Sequence, residues 1–132
     1  VGEFDSTSIP SFPFESFENN LSKCQRYYQL IAEGSDKSIG LGTYYNDANV
    51  YLPNKLSPQM RATPSVEQVT GTNYYIIYRN NGNDPFNSLA FDVGTNMFVE
   101  VNNGDSVSGT GGQAGMVRLN NSSSKFAFLA EL

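Results

Sequence analysis

Apolar residues between positions 14 and 31 fall at Phe14, Phe17, Leu21, Cys24, Tyr28 and Ile31, in steps of three, four, three, four and three. That spacing keeps one stripe on a helix of 3.6 residues per turn. It predicts an amphipathic helix from about Phe14 to Ala32. Glu15 and Glu18 suit the positive end of its dipole, and Lys23 and Arg26 lie toward the negative end. Gly34 supplies a C-terminal stop. Cys24 sits on the stripe and reads as a buried small hydrophobe. The stripe runs for only two and a half heptads, so two uses stay open: covering the chain's own domain, or meeting other copies.

After Gly34 the period changes. Residues 38–45 (SIGLGTYY) and 49–53 (NVYLP) read as short strands around a turn at 46–48. Residues 59–69 read as an edge segment, since Pro58 and Pro64 limit a ladder there. Residues 73–80 (NYYIIYRN) are apolar on both faces and predict a buried inner strand. A turn cluster is expected at 80–85, and a hairpin at 87–93 and 97–103. A glycine-rich flexible loop is expected at 104–115, and a final strand pair at 116–120 and 125–132. About eight short strands with frequent turn signals and no second helix predict a mainly β protein. The expected fold is an antiparallel β-sandwich of jelly-roll type with one N-terminal amphipathic α-helix.

The chain has 132 residues, enough for one domain with its own core. Its net charge is −5 and it has no cluster of Lys and Arg, which argues against a nucleic-acid partner. No apolar run is long enough to cross a bilayer, so membrane insertion is not expected. There is no His, which removes the commonest general base and most zinc sites. Asn-Gly at 81–82 and 103–104 reads as turn chemistry with positive φ rather than as a calcium loop. The run SGTGGQAG (108–115) lacks the Lys-Ser/Thr ending of a phosphate loop. Asp84, Asp92, Glu100 and Asp105 are the acids from which a glycosidase pair would be drawn. Nothing in their spacing selects a pair, so the sequence is read as non-enzymatic, with no cofactor and no metal.

Two segments carry a family pattern. The first is Pro13-Phe14-Glu15, Ser16-Phe17, then Cys24-Gln25-Arg26-Tyr27-Tyr28-Gln29. The second is Met60-Arg61-Ala62-Thr63-Pro64. Together they resemble the C-terminal modules of bacteriophage tail-fibre and structural proteins. In those, a lead-in like SxxTPFExRSY enters a helix ending CQRYYQ, and a segment like FPVPMRAxPTV follows. The resemblance covers residues 13–70 and thins afterwards. It implies a β-sandwich on a virion surface, hence extracellular, forming a homotrimer and binding host-surface glycans. A purely structural role in trimerisation, fibre capping or capsid decoration is the alternative. It also implies that residues 1–13 are a linker leaving a preceding domain, with 14–132 the helix plus β-sandwich. It brings no catalytic residues.

The tyrosines supply the candidate binding chemistry. A sugar offers an apolar C–H face, which a ring covers, and hydroxyls, which Asn, Asp, Gln or Arg meet. Alternation along a strand puts Tyr74, Ile76 and Tyr78 on one face and Tyr75, Ile77 and Arg79 on the other. The candidate ligand-binding set is Tyr75 and Arg79 with the adjacent Asn80, Asn83 and Asp84.

Overall fold

The computed structural model describes residues 16–131. The lead-in 1–13 and the expected helix start at Phe14 lie outside the described residues. The helix, α1, spans Phe17–Gln25. Ser16 caps it, its Oγ accepting from the Asn19 N–H at 3.2 Å. It ends well before Ala32, because Tyr28–Glu33 is a strand, β1, paired antiparallel with β10 (Lys125–Leu129). The aromatic and branched residues of this stretch suit a strand, and a long-range ladder outweighs the local helical period. The Gln29 side chain seals the junction, donating to the carbonyls of Gln25 (3.0 Å) and Pro58 (2.7 Å). No described residue of the helix is buried, and Cys24 is exposed rather than part of a core.

The remaining strands are β2 (Lys37–Asn46), β3 (Asn49–Lys55), β4 (Ser65–Val69), β5 (Tyr75–Arg79), β6 (Gly82–Phe86), β7 (Leu89–Gly94), β8 (Phe98–Asn103) and β9 (Ala114–Leu119). They form two antiparallel sheets, β1-β10-β4 and β6-β5-β9-β2-β3-β8-β7. The nesting is that of a jelly roll: β1 pairs with β10, β2 with β9, and β4 and β5 lie beyond these on the same two partners. β3 and β8 extend the larger sheet and carry it round to β7. There the Gln68 side chain bridges the layers. Its amide nitrogen donates to the Leu89 carbonyl, while its oxygen accepts from the Leu89 N–H (3.1 Å) and the Tyr75 hydroxyl (2.8 Å).

Three expectations need correction. Residues 82–86 form edge strand β6, so the turn is confined to Asn80-Asn81, with Asn81 at φ +68°. An edge strand tolerates Pro85. The last two strands do not pair with each other: β9 lies in the large sheet and β10 at the centre of the small one. Asn103 is not a turn residue but lies buried in β8, accepting from the Val50 N–H (2.7 Å) and donating to the Ala48 carbonyl (3.0 Å).

Between the sheets lie Val50, Leu52, Ile77, Val99, Val101, Val117 and an aromatic group. Tyr75 stacks on Phe86 (5.5 Å, 13°) and meets Phe126 edge-on, and Phe126 meets Phe128 edge-on. Such pairs add about 0.5–1.5 kcal/mol each beyond the area they bury. The two segments of the family pattern also touch. The Arg61 N–H donates to the Arg26 carbonyl (2.9 Å), and the Arg61 guanidinium lies over Tyr27 (5.7 Å) and donates to the Glu131 carbonyl. Met60 and Pro64 are buried beneath. The pattern therefore marks one packed corner of the fold, where the chain leaves the helix and enters β1.

Candidate functional site

The sequence-derived candidates separate once strand parity is fixed. Tyr75 and Ile77 face the core, and Tyr75 has no exposed surface. It is removed from any surface site, its hydroxyl spent on Gln68. Arg79 follows on the same face at the rim of the sandwich. Asp84, opposite Ile77 on β6 and diagonal to Arg79, accepts from Arg79 Nε at 2.6 Å and from Nη2 at 3.4 Å, and also from the Tyr44 hydroxyl. Arg79 Nη2 further donates to the Ser108 carbonyl (2.9 Å) and Nη1 to the Asn80 carbonyl (3.1 Å). Hydrogen bonding to Asp84 pushes the Arg79 guanidinium above its usual value, and burial pushes the Tyr44 phenol up, with Asp84 adding to it.

This network holds a loop. The Gly109 backbone packs so closely on the Tyr44 ring that an added Cβ would sit 2.2 Å from it. The Asp47 carbonyl accepts from the Gly109 N–H, its side chain accepts from the Gly111 N–H, and the Tyr44 carbonyl accepts from Gly112. Asp105 accepts from the N–H groups of Asn87 and Ser88. The glycine-rich segment is tied to the sheet at many points rather than hanging loose. Arg79 and Asp84 are brought together, but their polar atoms serve this tie. Asn80 is exposed in the turn.

Asn83 points the other way. It sits on the outward face of β6, paired with Tyr78 on β5. Tyr78 in turn pairs with Met116 on β9, and Met116 with Leu41 on β2. Leu41 and Met116 are 55% and 48% exposed, so an apolar band crosses the outer face of the large sheet. In the next row Arg118 lies between Ile76 and Ser38. Its guanidinium carbon stands 4.3 Å from the centre of the Tyr78 ring. Among the described residues no acceptor meets the Arg118 side chain. Farther along the same face Tyr45, 74% exposed, meets Tyr51 edge-on at 5.5 Å.

This face offers ring and aliphatic surface, an amide, a hydroxyl and a guanidinium on rigid strands, with no enclosed pocket among the described residues. Of the residues on this face the sequence-derived set held only Asn83; it chose Tyr75 rather than Tyr78 as the ring and missed Arg118. The signal was present in MVRLN: with Val117 and Leu119 inward, Met116 and Arg118 must face out. What the sequence withheld was the pairing of β9 with β5. Among the described residues no group of acidic or cysteine side chains is arranged to hold a metal ion. No described helix is long and apolar enough to cross a membrane. Compared with protein-family models, curated proteins and solved structures, the chain matches none of them.

Proposed function

We propose that this domain is a non-catalytic module of a virion surface appendage, of the tail-fibre kind, that assembles as a homotrimer and holds a host-cell glycan. The observation that carries the glycan reading is the outward row of Asn83, Tyr78, Met116 and Leu41, with Arg118 against Tyr78. A pyranose needs flat apolar contact bordered by hydrogen-bonding groups, and this row supplies both. The self-association reading rests on α1. Phe17, Leu21 and Cys24 share one side of it, Phe17 is 77% exposed, and no described residue of the helix is buried. Three such helices around an axis would cover these stripes. The family pattern at residues 13–70 supports both parts.

Sedimentation of the full chain at micromolar concentration is expected to give a trimer, and a monomer would remove the assembly half. A glycan array probed with the folded trimer is expected to give signals that Tyr78→Ala abolishes. A blank array would favour the second reading, a structural trimerisation or capping part. That reading draws on the flatness of the face and on the purely structural contacts made by the family-pattern residues.

A further inference from the structure

We infer that the sugar taken on this face is an acidic one, whose carboxylate is gripped by Arg118; the inference rests on the glycan reading above and narrows its ligand class. The chain treats its tyrosine-associated arginines in two ways. Arg79, near the Tyr44 ring at 5.9 Å, has its donors taken by Asp84 and two backbone carbonyls. Arg61, over Tyr27, donates to the Glu131 carbonyl. Arg118 alone of the three meets a ring and, among the described residues, no acceptor.

A guanidinium carbon 4.3 Å from a ring centre is at stacking distance. The donors of a guanidinium lie in its own plane, so stacking occupies its face and leaves its edges for a partner. Arg118 is half-buried between two strand neighbours, which holds it in place and strips part of its water. A planar, oriented, partly desolvated cation is matched best by a planar bidentate anion, and a carboxylate is one.

The surroundings select among anions. Leu41 and Met116 are apolar, and Asn83 and Ser38 supply a neutral amide and hydroxyl, which suits one charge on an otherwise hydroxylated, partly apolar ring. Asp36, exposed just before β2 with its N–H on the Leu119 carbonyl (2.8 Å), is close to Arg118 in the ladder but makes no ion pair with it among the described residues, and Glu100 on β8 lies three strands from β9. Lys37, opposite Leu119 in the adjacent row, adds one further cation, and a polyanion would still meet the chain's net charge of −5.

The test uses immobilised oligosaccharides containing sialic acid or uronic acid, each beside its carboxyl-reduced, neutral counterpart, probed with the full chain. The wild type should bind at least one acidic form about tenfold or more tightly than its reduced form, and the two acid series identify the source of the carboxylate. Arg118→Gln should remove that preference, so that the acidic and reduced forms bind it alike, and Arg118→Lys should restore part of it. Unchanged sedimentation and circular dichroism establish that both variants fold. If the wild type binds acidic and reduced forms equally, or Arg118→Gln keeps the preference, the acidic assignment is overturned while the glycan reading stands. A folded trimer that binds no carbohydrate defeats both.

Discussion

Replacing Gln29 with Met tests whether the junction between helix and sandwich is held by one amide. Gln29 is 6% exposed and donates to the Pro58 carbonyl at 2.7 Å and the Gln25 carbonyl at 3.0 Å. Met nearly matches its length and shape but donates nothing. The two losses are unequal. Gln25 is half-exposed at the end of α1, so water can take over its carbonyl at a cost of about 0.5 kcal/mol. The Pro58 carbonyl faces the buried side chain and is left without its donor, at about 1–3 kcal/mol. Burying a thioether in place of an amide returns roughly 1 kcal/mol. The net loss is about 1.5 kcal/mol. At this chain length each kcal/mol lowers the melting temperature by roughly 3–5 °C, so a fall of about 4–8 °C is expected by circular dichroism at pH 7. Gln59→Met is the control. The same exchange is made nearby at an exposed residue and should change stability by less than about 0.5 kcal/mol. If the two variants melt together, the junction is not held by the Gln29 amide.

Two further outcomes follow from the rim and the core. Asp84→Asn should speed amide hydrogen exchange at Gly109 and Gly111 by about tenfold while leaving β5 and β9 unchanged, since Asp84 organises the tie through Arg79 and Tyr44; altered glycan binding with unchanged loop exchange would make Asp84 a ligand contact instead. Burial raises the Tyr44 and Tyr75 phenols above their ordinary value, with Asp84 a further cause at Tyr44. The native state therefore keeps protons that the unfolded chain releases near pH ~10, and stability, complete below that pH, should fall as pH rises beyond it. The Tyr44→Phe/Tyr75→Phe double variant should show a shallower fall in melting temperature over the same alkaline range.

Much of this fold was legible because its strands are set off by frequent turn signals. Residues 38–45 and 49–53 lie in β2 and β3, and the hairpin of β7 and β8 follows the expected segments 87–93 and 97–103 to within two residues. The helix was misjudged at its C-terminal end because Tyr28 and Ile31 extend the helical stripe, while an aromatic and a β-branched residue are equally suited to a strand. Only the partner, β10, about a hundred residues later in the chain, decides between them. The candidate site was half legible for a similar reason. Parity within β5 was readable and correctly set Tyr78 apart from Tyr75 and Arg79. The arrival of Arg118 over Tyr78 depends on a β5–β9 ladder that joins positions about forty residues apart, and nothing local announces it. The glycine-rich segment looked loose because its anchors, Tyr44 and Asp47, lie still farther away in the chain, Asp47 being 64 residues from Gly111.

On the proposed reading, the flat face and the exposed stripe of α1 answer each other. A sugar laid on a sheet without an enclosing pocket leaves much of its surface in water, and one arginine–carboxylate pair with a ring contact supports only weak affinity, with a Kd near the millimolar range. Such a site is of little use singly. Carried three times on one rigid assembly, it becomes effective on a surface dense with the same sugar, because the second and third contacts form at high effective concentration without any new interaction. That gain requires the three faces to be held in fixed relation. The exposed stripe of Phe17, Leu21 and Cys24 lies just before the corner formed by Gln29, Met60 and Arg61. An assembly seated on α1 would thus be anchored to the sandwich through that corner. The residues of the family pattern would then matter to binding without touching the ligand, by fixing the angle at which each face meets the host surface.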